Sequence, residues 1–252
     1  MRKEIDLNCD LGEWRTSNGP DLDEAIMPFI SSCNVACGGH IGDEESMKKT
    51  IELAKRYNVA IGAHPGYPDK ENFGRVVLDI DLPELEKSIK RQIQSFLVCL
   101  DSSGVGLHHV KPHGALYNHA AKNQKTAEVV LKAIDSVAPG TKVYLPVGSV
   151  SATMAKDFGL KVVYEVFADR RYEDDLSLRS RSLPDSVLHA ESEVIKQLEL
   201  LVSEEKVITY SGKKKPIKTE TVCLHSDTPG AINLARTINS FLNQHGVSII
   251  TP

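Results

Sequence analysis

The run Ile5-Asp6-Leu7-Asn8-Cys9-Asp10-Leu11 alternates apolar and polar side chains without a break. Successive strand side chains point to opposite faces, so the pattern predicts a strand over 4–10 with Asp6, Asn8 and Asp10 on a chemical face and Ile5, Leu7 and Cys9 on a buried one. Polar-apolar strands are expected again near 32–39, 59–64, 107–113, 142–147, 161–168 and 220–226, with a further short one at 247–250. From Leu82 onwards the period changes: Leu85, Ile89, Ile93, Phe96, Leu97 and Leu100 recur at three and four, predicting an outer helix with one face on a sheet. Asp43 is placed to cap another helix, with Glu44 and Glu45 at its positive end and Met47, Ile51 and Ala54 as its apolar stripe. The last helix is expected to have Thr228 at its cap and Pro229 at its first position, followed by Ile232, Leu234, Ile238, Phe241 and Leu242.

Seven strands, each followed by a helix or loop, imply an α/β fold with a parallel sheet whose site lies at the carboxyl ends of the strands. The count favours a TIM-like (β/α) barrel of about seven parallel strands over an open doubly wound sheet, and no Gly-x-Gly-x-x-Gly follows the first strand. At 252 residues and 41% hydrophobic content the chain suits one domain spanning 1–252. The net charge of −4 provides no basic field for nucleic acid or anionic lipid. No apolar run approaches the roughly 20 residues of a membrane helix, and the polar start is unlike a signal peptide, so a cytoplasmic location is expected. Five cysteines are too few for a disulfide framework, and Cys33 and Cys37 have no second pair at zinc-finger spacing.

Polar clusters fall at the expected strand ends. Asn34, Ala36, Gly38 and His40 share one small polar face, and Ala60, Gly62 and His64 repeat it before the Pro65-Gly66 turn. Asp10, His40 and His64 would then meet at one rim, either holding a divalent metal or serving as acid, base and orienting group without one. His109, Lys111 and His113 aim to one side; a buried lysine there either clamps a carboxylate or phosphate or pairs with an aspartate such as Asp6 or Asp10. Glu165, Phe167 and Asp169 point inward, with Arg170 and Arg171 just beyond as anion ligands or exposed loop charges. Cys223, His225 and Asp227 share a face before a turn whose helix amino-terminus suits an anion. Lys213-Lys214-Lys215-Pro216 is expected to be a solvated loop.

The chain resembles the LamB/YcsF family of 5-oxoprolinase A subunits. The resemblance rests on Asp6-Leu7-Asn8-Cys9-Asp10-Leu11-Gly12-Glu13, Asn34-Val35-Ala36-Cys37-Gly38-Gly39-His40 with Gly42-Asp43, and Gly62-Ala63-His64-Pro65-Gly66-Tyr67-Pro68-Asp69. It extends through Lys111-Pro112-His113-Gly114-Ala115-Leu116-Tyr117, Glu165-Val166-Phe167-Ala168-Asp169-Arg170-Arg171-Tyr172 and His225 with Asp227-Thr228-Pro229-Gly230-Ala231. It implies a seven-stranded barrel related to the glycoside hydrolase and deacetylase barrels, and an ATP-dependent opening of 5-oxoproline to glutamate carried out with separate B and C subunits. Ile41, Val76, Asp175 and Ser226 depart from the family pattern and bear on the anion pocket rather than on the reaction class.

A five-membered lactam is a stable amide, and phosphorylation of its oxygen by ATP activates it for attack by water. No P-loop motif occurs, so ATP is expected to be used through the partner subunits. Asp10, His40, His64, Glu13 and Asp169 are the expected catalytic residues, with Asp10 as base and His40 and His64 orienting the water or taking up charge. Asn8, Lys111, His113, Arg170, Arg171, His225 and Asp227 are expected to bind substrate or phosphate. Two other readings share these features: a metal-dependent carbohydrate deacetylase using Asp10, His40 and His64, and a carbohydrate-binding or regulatory protein on the same barrel.

Overall fold

The computed structural model describes residues 2–14, 19–228 and 230–252. Seven parallel strands close into a barrel: β1 (Glu4–Leu11), β2 (Ser32–Ala36), β3 (Ala60–His64), β4 (His109–Val110), β5 (Lys142–Pro146), β6 (Lys161–Phe167) and β9 (Thr221–His225), which returns to β1. The closing register sets Asp6 beside Thr221 and Asp10 beside His225. A short strand, β10 (Ser248–Ile249), adds to the start of β1, where a further strand was expected. The Lys213–Pro216 stretch is largely exposed, as expected, but it is not a loop. Lys214–Pro216 forms β8, antiparallel to β7 (Lys206–Ile208), and Lys213 and Lys214 pair with Asp174 and Glu204.

Both faces of β1 are buried, for different reasons. Ile5, Leu7, Cys9 and Leu11 meet the apolar layer under the helices, whereas Asp6, Asn8 and Asp10 point into the barrel. The interior is therefore a hydrogen-bonded stack rather than an oily one, since a buried polar group without a partner is costly. Asp6 accepts from Ser31, Ser32 and Thr221; one layer up, Asn8 donates to Glu165 and Thr221 and accepts from Asn34. His109 stacks on Tyr144 at 3.8 Å between ring centroids and donates to Asn34 Oδ1 at 2.6 Å. Gly62 is required there, because a Cβ would lie 2.2 Å from the His109 ring.

The outer helices follow the periodicities. In the helix Glu44–Arg56, Asp43 accepts from the Ser46 N–H and Ser46 Oγ accepts from the Asp43 N–H, a reciprocal cap, while Met47, Ile51 and Ala54 are buried. In the longer helix Leu82–Ser103, Leu85, Ile89, Ile93, Phe96 and Leu100 face the sheet, and Gly104 ends the helix in the left-handed region. The last helix, Ala231–Gln244, is capped by Gly230 and not by Thr228, which lies two residues upstream of the cap; Pro229 falls outside the described residues.

Two predicted strands are shorter than expected. The second stops at Ala36 because Gly38 and Gly42, both at positive φ, fold the chain into a turn closed by the Gly38 N–H on Ile41 O. The fourth has only two ladder residues, yet the Lys111 and His113 N–H groups still donate to Ala63 O and Pro65 O, which keeps both side chains at the barrel mouth.

Candidate active site

A cavity of about 600 Å³ opens at the carboxyl ends of the strands. Its floor is Asp10, Glu13, His64, Lys111, His113 and His225, and its wall includes Tyr117, Phe167, Arg75, Arg170 and Arg181. Glu13 reaches it from the turn after β1, where Gly12 takes φ +70° and Asp23 accepts from the Gly12 N–H and the Trp14 indole N–H, both at 2.9 Å.

Lys111 Nζ lies 2.9 Å from Asp10 Oδ1, 2.9 Å from Glu165 Oε1 and 3.0 Å from Cys223 Sγ. Burial alone would drive the proton off Lys111, but Asp10, Cys223 and Glu165 outweigh it and hold the pKa well above the ordinary lysine value. Burial acts on Asp10 in the opposite sense to His64 and Lys111, and the two neighbours prevail, keeping its pKa well below the usual carboxylate range. Asn34 donates to the same Asp10 oxygen at 2.8 Å, and Ser226, one of the departures from the family pattern, donates to the Asp10 carbonyl at 2.7 Å. The lysine is thus engaged as an ion pair with Asp10 and with Glu165, which was not foreseen as its partner.

The histidines separate into distinct roles. His64 donates from Nδ1 to Lys111 O at 2.7 Å, and His113 donates from Nε2 to Phe73 O at 3.0 Å. Their other nitrogens, His64 Nε2 and His113 Nδ1, face each other at 2.9 Å. His40 lies behind, fully buried, its ring parallel to His113 at 3.5 Å between centroids, and its Nε2 is 2.9 Å from Glu13 Oε1. Burial pushes His40 down to about 3, so it is neutral and donates to Glu13. The expected trio of Asp10, His40 and His64 is therefore not assembled. Asp10 Oδ2 is 3.3 Å from His64 Nε2, whereas His40 turns to Glu13.

His225 lines the cavity and donates from Nδ1 to Asp169 at 2.9 Å, so in the neutral ring Nε2 is the nitrogen that carries the lone pair. Burial raises and His225 lowers the Asp169 pKa, with a net fall that keeps the carboxylate ionised. Phe167 lies under the His225 ring at 5.6 Å.

Several expected ligands stand elsewhere. Asn8 is sealed inside the barrel, and Arg171 points outward to Glu193 at 2.8 Å because it is one residue out of phase with Arg170. Arg170 lines the cavity and donates to Ser186 O and Arg179 O; burial and Arg181 bring its pKa down to about 10. Asp227 pairs with Arg75, a cavity residue the sequence reading did not select. Arg181 was also missed: it lines the cavity, and no hydrogen bond or ion pair among the described residues engages it. It sits in an irregular segment without periodicity, so the pattern carries no signal for it.

Closed parallel barrel, polar interior and charged rim define a (β/α)-barrel protein with its chemistry at the strand ends. The sequence model of the LamB/YcsF family matches residues 5–252, and the chain belongs to that family. It is 42% identical over 245 residues to the A subunit of 5-oxoprolinase from Syntrophobacter fumaroxidans, covering 97% of each chain. It is 41% identical over 249 residues to the corresponding protein of Bacillus cereus, covering 98% of each. Among solved structures, a lactam utilization protein of Thermus thermophilus superposes with a TM-score of 0.91 at 35% identity, over 99% of this chain and 100% of that one. A peptidoglycan deacetylase of Bacillus subtilis superposes at 0.50 with 11% identity, over 99% and 88%, a likeness of fold alone.

Proposed function

We propose that this chain, as one catalytic barrel spanning 1–252, is the lactam-opening component of a cytoplasmic, ATP-dependent 5-oxoprolinase that converts 5-oxo-L-proline to L-glutamate with separate B and C subunits. The observation that carries the substrate is the 42% identity, over 97% of both chains, to a relative named for that activity. The carbohydrate-deacetylase reading has only a fold likeness at 11% identity behind it.

The cavity suits a ring activated by phosphorylation of its amide oxygen. Arg181, which no hydrogen bond or ion pair engages among the described residues, supplies a cation for a phosphate or the substrate carboxylate, and Arg170 lines the same cavity. Water adds to the ring carbon as its proton passes to His225 Nε2, with Asp169 holding the imidazole and balancing its charge. The C–N bond then breaks as the ring nitrogen takes up a proton, and the resulting acyl phosphate is hydrolysed to glutamate and phosphate. Asp10, expected to be the base, is held by Lys111 and Asn34, which lowers its basicity. Its negative charge instead keeps Lys111 protonated at the floor, where the cation stabilises oxyanion character at the reacting carbon.

ATP is consumed by the partners, since this chain has no P-loop. Purified alone, it should release little glutamate from 5-oxoproline and ATP, and activity should appear on adding B and C subunits. Efficient ATP-coupled turnover by the isolated chain would contradict the division of labour.

A further inference from the structure

We infer that Glu13, His64 and His113 form a binding site for a divalent transition-metal ion of the zinc class, with Asp10 Oδ2 at its open side. A backbone carbonyl can only accept, so Lys111 O fixes the proton of His64 on Nδ1 and Phe73 O fixes that of His113 on Nε2. When both imidazoles are neutral the two remaining nitrogens are lone pairs, and they face each other at 2.9 Å. Glu13 Oε1 stands 3.2 Å from His113 Nδ1 and 4.0 Å from His64 Nε2, and Asp10 Oδ2 is 3.3 Å from His64 Nε2. Four acceptors converge, and among the described residues the one donor that faces them outside the Lys111 and Asn34 contacts of Asp10 is His40 Nε2, on Glu13 Oε1, so a cation would complete the cluster.

The spacing suits a metal. Ligands at about 2.0–2.1 Å from a tetrahedral zinc ion are about 3.3 Å apart, and the observed separations scatter around that value. Each histidine also gives its second N–H to a carbonyl, the outer support that fixes a ligand's tautomer and ring orientation. Two imidazoles with carboxylates favour zinc-like ions over magnesium or calcium.

His40 belongs to the support and not to the ligands. Its ring is parallel to His113 within 1°, so an ion in the plane of one ring lies out of the plane of the other. It donates to Glu13 and orients that carboxylate. Two glycines make room for the stack: a Cβ on Gly66 would lie 2.9 Å from His40 Nδ1, and one on Gly74 would lie 2.7 Å from His40 Cβ.

The site is independent of the substrate proposed above, and its test needs no turnover. The full chain, dialysed against chelator, is titrated with Zn²⁺ in competition with a chromophoric chelator and separately with Co²⁺, whose visible absorption reports an ordered low-coordinate site. Wild type should bind one equivalent, gain thermal stability with Zn²⁺ and give the Co²⁺ bands. Glu13→Gln and His113→Gln should each weaken binding by more than about 100-fold, and His40→Gln by about 10- to 100-fold, the range for losing an outer-shell hydrogen bond. His245→Gln, on the surface, should leave binding unchanged. Melting curves of the metal-free proteins show which variants are folded, and Glu13→Gln keeps an acceptor for His40 if His113→Gln does not fold. Less than one equivalent bound by wild type, or wild-type affinity in a folded Glu13→Gln, would overturn the assignment.

Discussion

Lys111 Nζ sits 2.9 Å from Asp10 Oδ1 and from Glu165 Oε1, joining the first, fourth and sixth strands of the barrel through one buried cation. Removing one partner of a buried pair leaves an uncompensated charge, at a cost of about 3–5 kcal/mol. Lys111→Met keeps the length of the side chain and should lower stability by that order, visible in denaturant unfolding. Unchanged stability would mean that the carboxylates are not held as charges by this lysine.

The His225–Asp169 pair is expected to act at the proton-transfer step. His225→Gln should lower turnover of the reconstituted enzyme by about 10²-fold or more with the fold intact, a general-base contribution. Asp169→Asn should lower it too, by disturbing the tautomer that leaves Nε2 free. Asp10→Asn then separates the two assignments: if Asp10 were the base, its loss would match that expected for His225→Gln while His225→Gln stayed near wild-type. Steady-state turnover of the three variants, each checked by melting, decides between them.

Gly62 is tied to His109 by contact. Gly62→Ala places a methyl 2.2 Å from the imidazole, and both the β3 backbone and the stacked His109–Tyr144 pair are fixed. Overpacking of this kind costs about 1–3 kcal/mol or more. A melting temperature equal to wild type would show that the interior yields more easily than its hydrogen bonds imply.

Acid stability follows from histidines held neutral. Burial lowers His109 well below its ordinary value, where it faces His108, Lys111, His64 and Lys142, and burial and Lys142 bring half-buried His108 down to about 4. The folded state therefore binds fewer protons than the unfolded chain below pH 6.5. Stability is full above that pH and falls as the pH drops from 6.5 toward 4. Thermal melts across this window should show the decline, and His109→Gln, which can still donate to Asn34, should flatten it. An identical slope in the variant would remove His109 as a source.

The barrel was legible because its evidence is local: alternation in β1 and the three-and-four spacing in the helices Glu44–Arg56 and Leu82–Ser103 are properties of neighbouring residues. The inward face of Asp6, Asn8 and Asp10 and the placement of His64, Lys111 and His225 at strand ends follow from the same parity. Partnerships were not legible. His40 lies within the glycine turn that ends its strand, so strand parity does not govern where it points, and its bond to Glu13 spans 27 residues. Arg170 and Arg171 differ by one residue, and only the path of the chain after β6 sends one inward and the other to Glu193. Arg181 comes from a segment held by irregular turns, where neither period applies.

The central claim, that this chain opens the lactam ring within an ATP-dependent assembly, is tested most directly by measuring glutamate and phosphate formed from 5-oxoproline and ATP by B and C subunits with and without it. Glutamate should appear only when the chain is present, coupled to ATP consumption. Glutamate formed at the same rate in its absence, or none in the complete mixture, would contradict the account.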